Sequence, residues 1–171
     1  SGSAYGDVFF VNKDTGWVAE YDGFNGIISR TTNGGGTLQQ QYSSFGGGFD
    51  MIFFLKERIN NNYYGWAKRG NALYRTTNSG VNWTKIYLLE SVPMCGGTGS
   101  FGDLCFIDTV NGIATRSQNC FMHTTNGGYN WSFESYGAIQ PNKIAMSNSL
   151  TGWITTFTDT IIKSTNFFQT Y

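Results

Sequence analysis

Asp7, Asp50 and Asp103 each open a short apolar run, DVFFV, DMIFFL and DLCFI. Paired carboxylates about 5 to 10 Å apart are what glycoside hydrolysis needs, one as acid and one as base or nucleophile. The same recurrence suits a plainer task, closing the turn that leads into a strand. A second recurrence is cationic: Arg30, Arg75, His123 and Lys163 each precede Thr or Ser, then Thr, then Asn. Side by side, such cations would contact carboxylates or phosphates, and otherwise they are solvated strand ends. His123 is the single histidine, so a Ser-His-Asp arrangement would have to use it, yet it stands where other copies carry Arg or Lys. With one histidine and no CxxC pair among three cysteines, neither a metal site nor a cofactor is expected.

These residues sit in a repeat. The asparagines that close each cationic copy, Asn33, Asn78, Asn126 and Asn166, lie 45, 48 and 40 residues apart. Such periods belong to propellers, kelch-type arrays or helical solenoids. Upstream of each copy stands a glycine-led segment, GWVAE, GWAKR, GIATR or GWITT, and before that an apolar run, the fourth being NKIAM. Short β-branched and aromatic runs between turn residues are strands, and no stretch sustains the 3.6-residue apolar period of a helix. Four short antiparallel strands per repeat make a propeller blade. The expected blades are approximately 7–42, 50–88, 103–136 and 142–171 of one all-β domain or segment spanning 1–171.

Thr76-x-Asn78-x-Gly80-x-x-Trp83 and Thr124-x-Asn126-x-Gly128-x-x-Trp131 resemble the Asp-box, or bacterial neuraminidase repeat. The first copy replaces the aromatic by Leu38; the fourth ends in Tyr171 without the glycine. In this motif the Asn oxygen is expected to accept backbone N–H bonds two and three residues on, glycine to supply a positive φ, and Trp83 and Trp131 to pack between sheets. With the Gly-Trp segment, the repeat is similar to that of the photosystem II assembly-factor family, found also in secreted bacterial proteins. The resemblance implies a propeller whose basic face holds a partner polypeptide, with Arg30, Arg75, His123 and Lys163 as the matching positions. Asp-box propellers also include sialidases, which need an arginine cluster. Of Arg30, Arg58, Arg69, Arg75 and Arg116, two belong to the repeat frame itself, leaving too few for that task.

Composition fits a secreted bacterial protein: 11 basic and 11 acidic side chains, 13% charged, 17% aromatic and 23 glycines in 171 residues. Zero net charge argues against nucleic-acid binding, and no apolar run suffices for membrane insertion. Because Tyr171 falls at the aromatic position of the fourth turn, the chain is expected to be part of a longer protein or assembly, a complete four-bladed ring being the alternative. Cys95 and Cys105 are the candidate disulfide, with Cys120 left over; three buried thiols are the other reading. Asp108-Thr109 and Asp159-Thr160 match a bacterial O-glycosylation pattern, making Thr109 and Thr160 candidate acceptors. The segments from Tyr42 to Asp50 and from 87 to 102 are Gly-rich loops suited to recognition. The sequence thus points to a non-catalytic secreted or cell-surface module that binds a protein partner or cell-surface component. A glycan-acting enzyme using Asp7, Asp50 or Asp103 is the alternative.

Overall fold

The computed structural model describes residues 4–56, 62–88, 101–116, 120–135 and 140–166. The chain divides into two units, Ser1–Leu88 and Leu89–Tyr171. In the first, β1 (Ala4–Phe10), β2 (Gly16–Tyr21), β3 (Asn25–Thr31) and β4 (Gln39–Phe45) form one antiparallel meander. A second comprises β5 (Met51–Lys56), β6 (Tyr63–Arg69), β7 (Ala72–Thr76) and β8 (Thr84–Leu88). The other unit holds β9 (Phe101–Phe106), β10 (Gly112–Arg116), β11 (Cys120–Thr124) and β12 (Ser132–Ser135), then β13 (Pro141–Met146), β14 (Gly152–Thr156) and β15 (Ile161–Ser164). No helix occurs among the described residues. The fold is a β-propeller of four-stranded antiparallel blades, numbered 1 to 4 in chain order, with three strands described in the last.

Strand register turns the repeat into two rows of side chains per blade. One row runs Phe10, Gly16, Thr31 in blade 1; Phe54, Gly65, Thr76 in blade 2; Phe106, Gly112, Thr124 in blade 3; Met146, Gly152, Ser164 in blade 4. The row beside it runs Phe9, Trp17, Arg30; then Phe53, Trp66, Arg75; then Cys105, Ile113, His123; then Ala145, Trp153, Lys163. Because side chains alternate between faces, the two rows look in opposite directions. Glycine in the first row has a steric cause. A Cβ on Gly16, Gly65 or Gly112 would overlap the ring of Phe10, Phe54 or Phe106, which lies across it from the neighbouring strand.

Blades within a unit meet by opposing these rows. Trp17 of blade 1 stacks on Phe54 of blade 2, with ring centroids 3.7 Å apart and planes 15° from parallel. Its indole N–H donates to Gln41 Oε1 at 3.0 Å and to the Ser79 carbonyl at 3.3 Å. A Cβ on Gly80 would strike both Gln41 and Trp17, so this glycine also makes room for the neighbouring blade. In the second unit an aliphatic set does the same work: Ile113, Phe121 and Ile154 form the core, with Cys105, Ile144 and Met146 against it. Ile replaces Trp on one blade and Met replaces Phe on the other, so both sides of that contact change chemistry together.

The Thr-Thr-Asn turns differ from expectation in which oxygen does what. The Thr31 hydroxyl donates to Asn33 Oδ1 (3.0 Å) and accepts from the N–H groups of Asn33 (3.3 Å) and Gly35 (2.9 Å). Asn33 Oδ1 accepts from Thr37 N–H at 2.9 Å, four residues on. Threonine, not asparagine, therefore holds the first half of the turn. Thr76 with Asn78 and Thr124 with Asn126 repeat the arrangement, Asn82 and Asn130 donating to the amide oxygens at 2.9 Å. Ser164 and Asn166 keep its opening, with the serine hydroxyl donating at 2.7 Å. Asn33 Nδ2 also donates to Thr37 Oγ1 at 3.1 Å, but the bond common to all three turns is to the amide oxygen, an acceptor that Asn and Asp share. Positive φ falls on Gly34 and Gly35, on Ser79 and Gly80, and on Gly127 and Gly128.

Candidate functional site

The recurring aspartates are built into the contact between blades. A bulge at Gly6 displaces the register of β1, and Asp7 Oδ2 then accepts the Ile52 N–H of β5 at 2.9 Å, while its Oδ1 accepts Val8 N–H at 2.8 Å. Asp103 repeats this in the other unit, accepting the Ile144 N–H of β13 at 2.9 Å and pairing with Lys143 Nζ at 3.5 Å. Asp50 stands apart. It lies four residues before the Phe facing its blade's glycine, whereas Asp7 and Asp103 lie three before, and it pairs with Lys68 Nζ at 3.0 Å. The three are thus not one repeated position, and each has donors on its oxygens.

The four cations do share a register, as cross-strand partners of the Gly-Trp position. Arg30 lies over the Trp17 ring at 5.3 Å, Arg75 over Tyr64 at 5.4 Å and Trp66 at 5.7 Å, and Lys163 over Trp153 at 5.7 Å. Blade 3 has Ile113 in place of Trp, and His123 opposite it is buried, its Nε2 4.0 Å from Glu134 Oε2. Arg30, Arg75 and His123 are not solvated strand ends, the arginines being half-buried and the histidine buried, whereas Lys163 is exposed. Among the described residues Arg30 and Lys163 have no carboxylate partner. An aromatic face and a bidentate carboxylate are the two contacts a guanidinium favours, and Arg30 has the first of them in Trp17.

Other expected participants are placed as follows. Trp83 and Trp131 are buried, each 9% exposed. Each packs edge-on to its own blade's inner strand, Trp83 against Phe54 and Trp131 against Phe101 and Phe106. The Gly-rich segment after Tyr42 is anchored: Arg69 donates to Ser44 Oγ at 2.7 Å and to Tyr74 Oη at 2.9 Å, and Phe49 is buried in the core. Phe45 at its tip is exposed. Arg116 is buried beside Phe133. Arg58 and most of the 87–102 loop lie outside the described residues.

Cys105 carries a free thiol, so the expected Cys95–Cys105 bridge does not form; Cys95 lies outside the described residues. Burial, reinforced by the Asp103 charge, pushes that thiol up to about 11. Cys120, expected to be left over, is buried and not free. Thr109 and Thr160 both lie in inter-strand turns, Thr160 exposed and Thr109 half-buried. Asp108 has a structural duty: its Oδ1 accepts Val110 and Asn111 N–H at 2.8 and 2.6 Å. Burial opposes its ionisation, but these bonds with that from the Asn111 side chain outweigh it and hold the carboxyl below its ordinary value. Asn12 and Asn148 close the corresponding turns of blades 1 and 4. This Asn/Asp, four residues before the Gly-Trp glycine, was visible in the sequence and passed unread.

No family model matches the chain, and no curated protein matches it. Among solved structures, the computationally designed Ika4 protein superposes with a TM-score of 0.60 at 11% identity, over 95% of this chain and 91% of that one. The likeness is one of fold. YCF48 bound to D1 peptide matches with a TM-score of 0.38 at 14% identity, covering 96% of this chain and 79% of that one. YCF48 from Cyanidioschyzon merolae gives 0.38 at 11% identity, over 96% and 95% of the two chains.

Proposed function

We propose that this propeller acts without catalysis, as a protein-binding or assembly module at the surface of, or secreted from, a bacterial cell. The observation that carries the reading is Arg30, 5.3 Å over the Trp17 ring with no carboxylate partner among the described residues. A guanidinium so placed is set to take a carboxylate from a partner polypeptide. Support also comes from the aspartates that a hydrolase would need, since Asp7 and Asp103 hold backbone N–H groups of the adjoining blade. The polar Asn, Thr and Gly turns and low charge suit an extracellular setting.

Partner capture tests this. Native partners recovered by the wild-type chain at low salt should be lost with Arg30→Gln and reduced with Arg30→Lys, which keeps the charge but not the fork. Recovery of the same partners at the same salt by both variants would remove Arg30 from the account. Cleavage of sialosides or β-glucans by the wild type, abolished by Asp7→Asn or Asp103→Asn, would replace the binding reading with an enzyme.

A further inference from the structure

The chain has three cysteines, Cys95, Cys105 and Cys120, and the states of two are fixed. Cys105 is a free thiol, whereas Cys120 is disulfide-bonded. Register also keeps these two apart. On β10 the partner of Cys105 is Ile113 and that of Cys120 is Arg116, an odd number of residues away, so their side chains leave opposite faces of blade 3. With β10 between their strands, their Cα atoms lie about 10 Å apart or more, beyond the roughly 7 Å that a bridge spans. Cys95 has no such obstacle. Phe101, which begins β9, and Cys120, which begins β11, are both cross-strand partners of Arg116 and so stand at one end of the blade, two strand spacings or about 10 Å apart. Cys95 precedes Phe101 by six residues, enough chain to cover about 20 Å. Cys120 is fully buried, as suits a sulfur bonded within its own chain.

We infer that the partner of Cys120 is Cys95, in an internal disulfide that staples the segment leading into β9 to the start of β11. The bond closes a ring from residue 95 to residue 120 with β9 and β10 inside it, and such a ring restricts the unfolded chain. It forms by two thiol–disulfide exchanges with a disulfide oxidant of the compartment. The thiolate of one cysteine attacks the oxidant and releases its first thiol; the other cysteine then displaces the second thiol from the mixed disulfide. The two protein sulfurs give up two protons and two electrons, and the oxidant leaves as two thiols. Cys105 lies inside the ring yet stays out of the exchange, because it faces the other way and holds its proton up to about pH 11, leaving little thiolate to react. A bond of this kind persists in an oxidising compartment, the setting proposed above, and it is independent of what Arg30 binds.

Thiol counting tests this. Protein from its native source, its free thiols trapped on extraction, should take up one alkyl label when unfolded without reductant, on Cys105, and three after reduction. A digest of the unreduced protein should contain one pair of peptides joined through Cys95 and Cys120, and reduction should separate them. Cys95→Ser should raise the unreduced count to two by freeing Cys120, whereas Cys105→Ser should leave the joined pair intact. The oxidised chain should also unfold at a higher urea concentration than the reduced one. If Cys95→Ser does not fold, the joined peptides of the wild type decide the matter alone. Three labels without reduction, a peptide pair joining Cys95 to Cys105, or two chains linked through Cys120 would each overturn the proposal.

Discussion

Adding one methyl group at two register-equivalent glycines should have opposite consequences. Gly65 and Gly16 each lie under a phenylalanine from the inner strand, and a Cβ at either site would overlap that ring. Phe54, over Gly65, is 2% exposed and pressed from its other side by Trp17 at 3.7 Å, with Trp83 edge-on at 5.8 Å. It has nowhere to move, so Gly65→Ala should cost about 2 to 3 kcal/mol, the upper part of the range for overpacking a filled core. Phe10, over Gly16, is half-exposed and can swing aside; there the same change should lie within about 0.5 kcal/mol of neutral, because Ala also lowers the entropy of the unfolded chain. Urea unfolding of both variants measures the difference. Equal costs at the two sites would refute the reasoning that ring confinement decides the penalty.

Three further outcomes follow from the same contacts. Asp7→Asn keeps an acceptor for the Ile52 N–H and should be nearly silent, whereas Asp7→Leu leaves that donor unsatisfied and should cost about 1 to 3 kcal/mol by urea unfolding. Trp131→Ala, removing a buried indole from Phe101 and Phe106, should cost about 3 to 5 kcal/mol. Cys105, with its thiol raised to about 11, should alkylate about a hundredfold more slowly at pH 8 in the folded chain than after unfolding. The raised value means the folded state holds the proton more tightly, so this contribution to stability is complete below about pH 9 and is lost as pH rises towards 11.

What could be read from residues was what is local. Threonine, asparagine and glycine at fixed offsets close a turn with their own backbone, so three turns appear with nearly the same bonds in the structure. The strands and the burial of Trp83 and Trp131 follow from apolar runs between such turns. What went unread depends on partners distant in the chain. Asp7 grips Ile52, 45 residues away, through a bulge that the alternation of β1 does not announce. The cations looked like solvated ends because their shelves lie on the neighbouring strand; the sequence held a trace of this, since Ile113 replaces Trp in the one blade where His123 replaces Arg or Lys. The Cys95–Cys105 pairing rested on nearness in sequence, and Cys105 instead points into an aliphatic core beside Ile113.

The central claim is that Arg30 on its tryptophan shelf takes a carboxylate of a polypeptide partner. The most direct measurement is a calorimetric titration of a captured partner against the wild type, Arg30→Lys and Arg30→Gln, each at low and high salt. The account predicts wild-type affinity that falls steeply with salt, an intermediate affinity for Lys, and weak, nearly salt-independent binding for Gln. Three chains with the same affinity and the same salt dependence would contradict it.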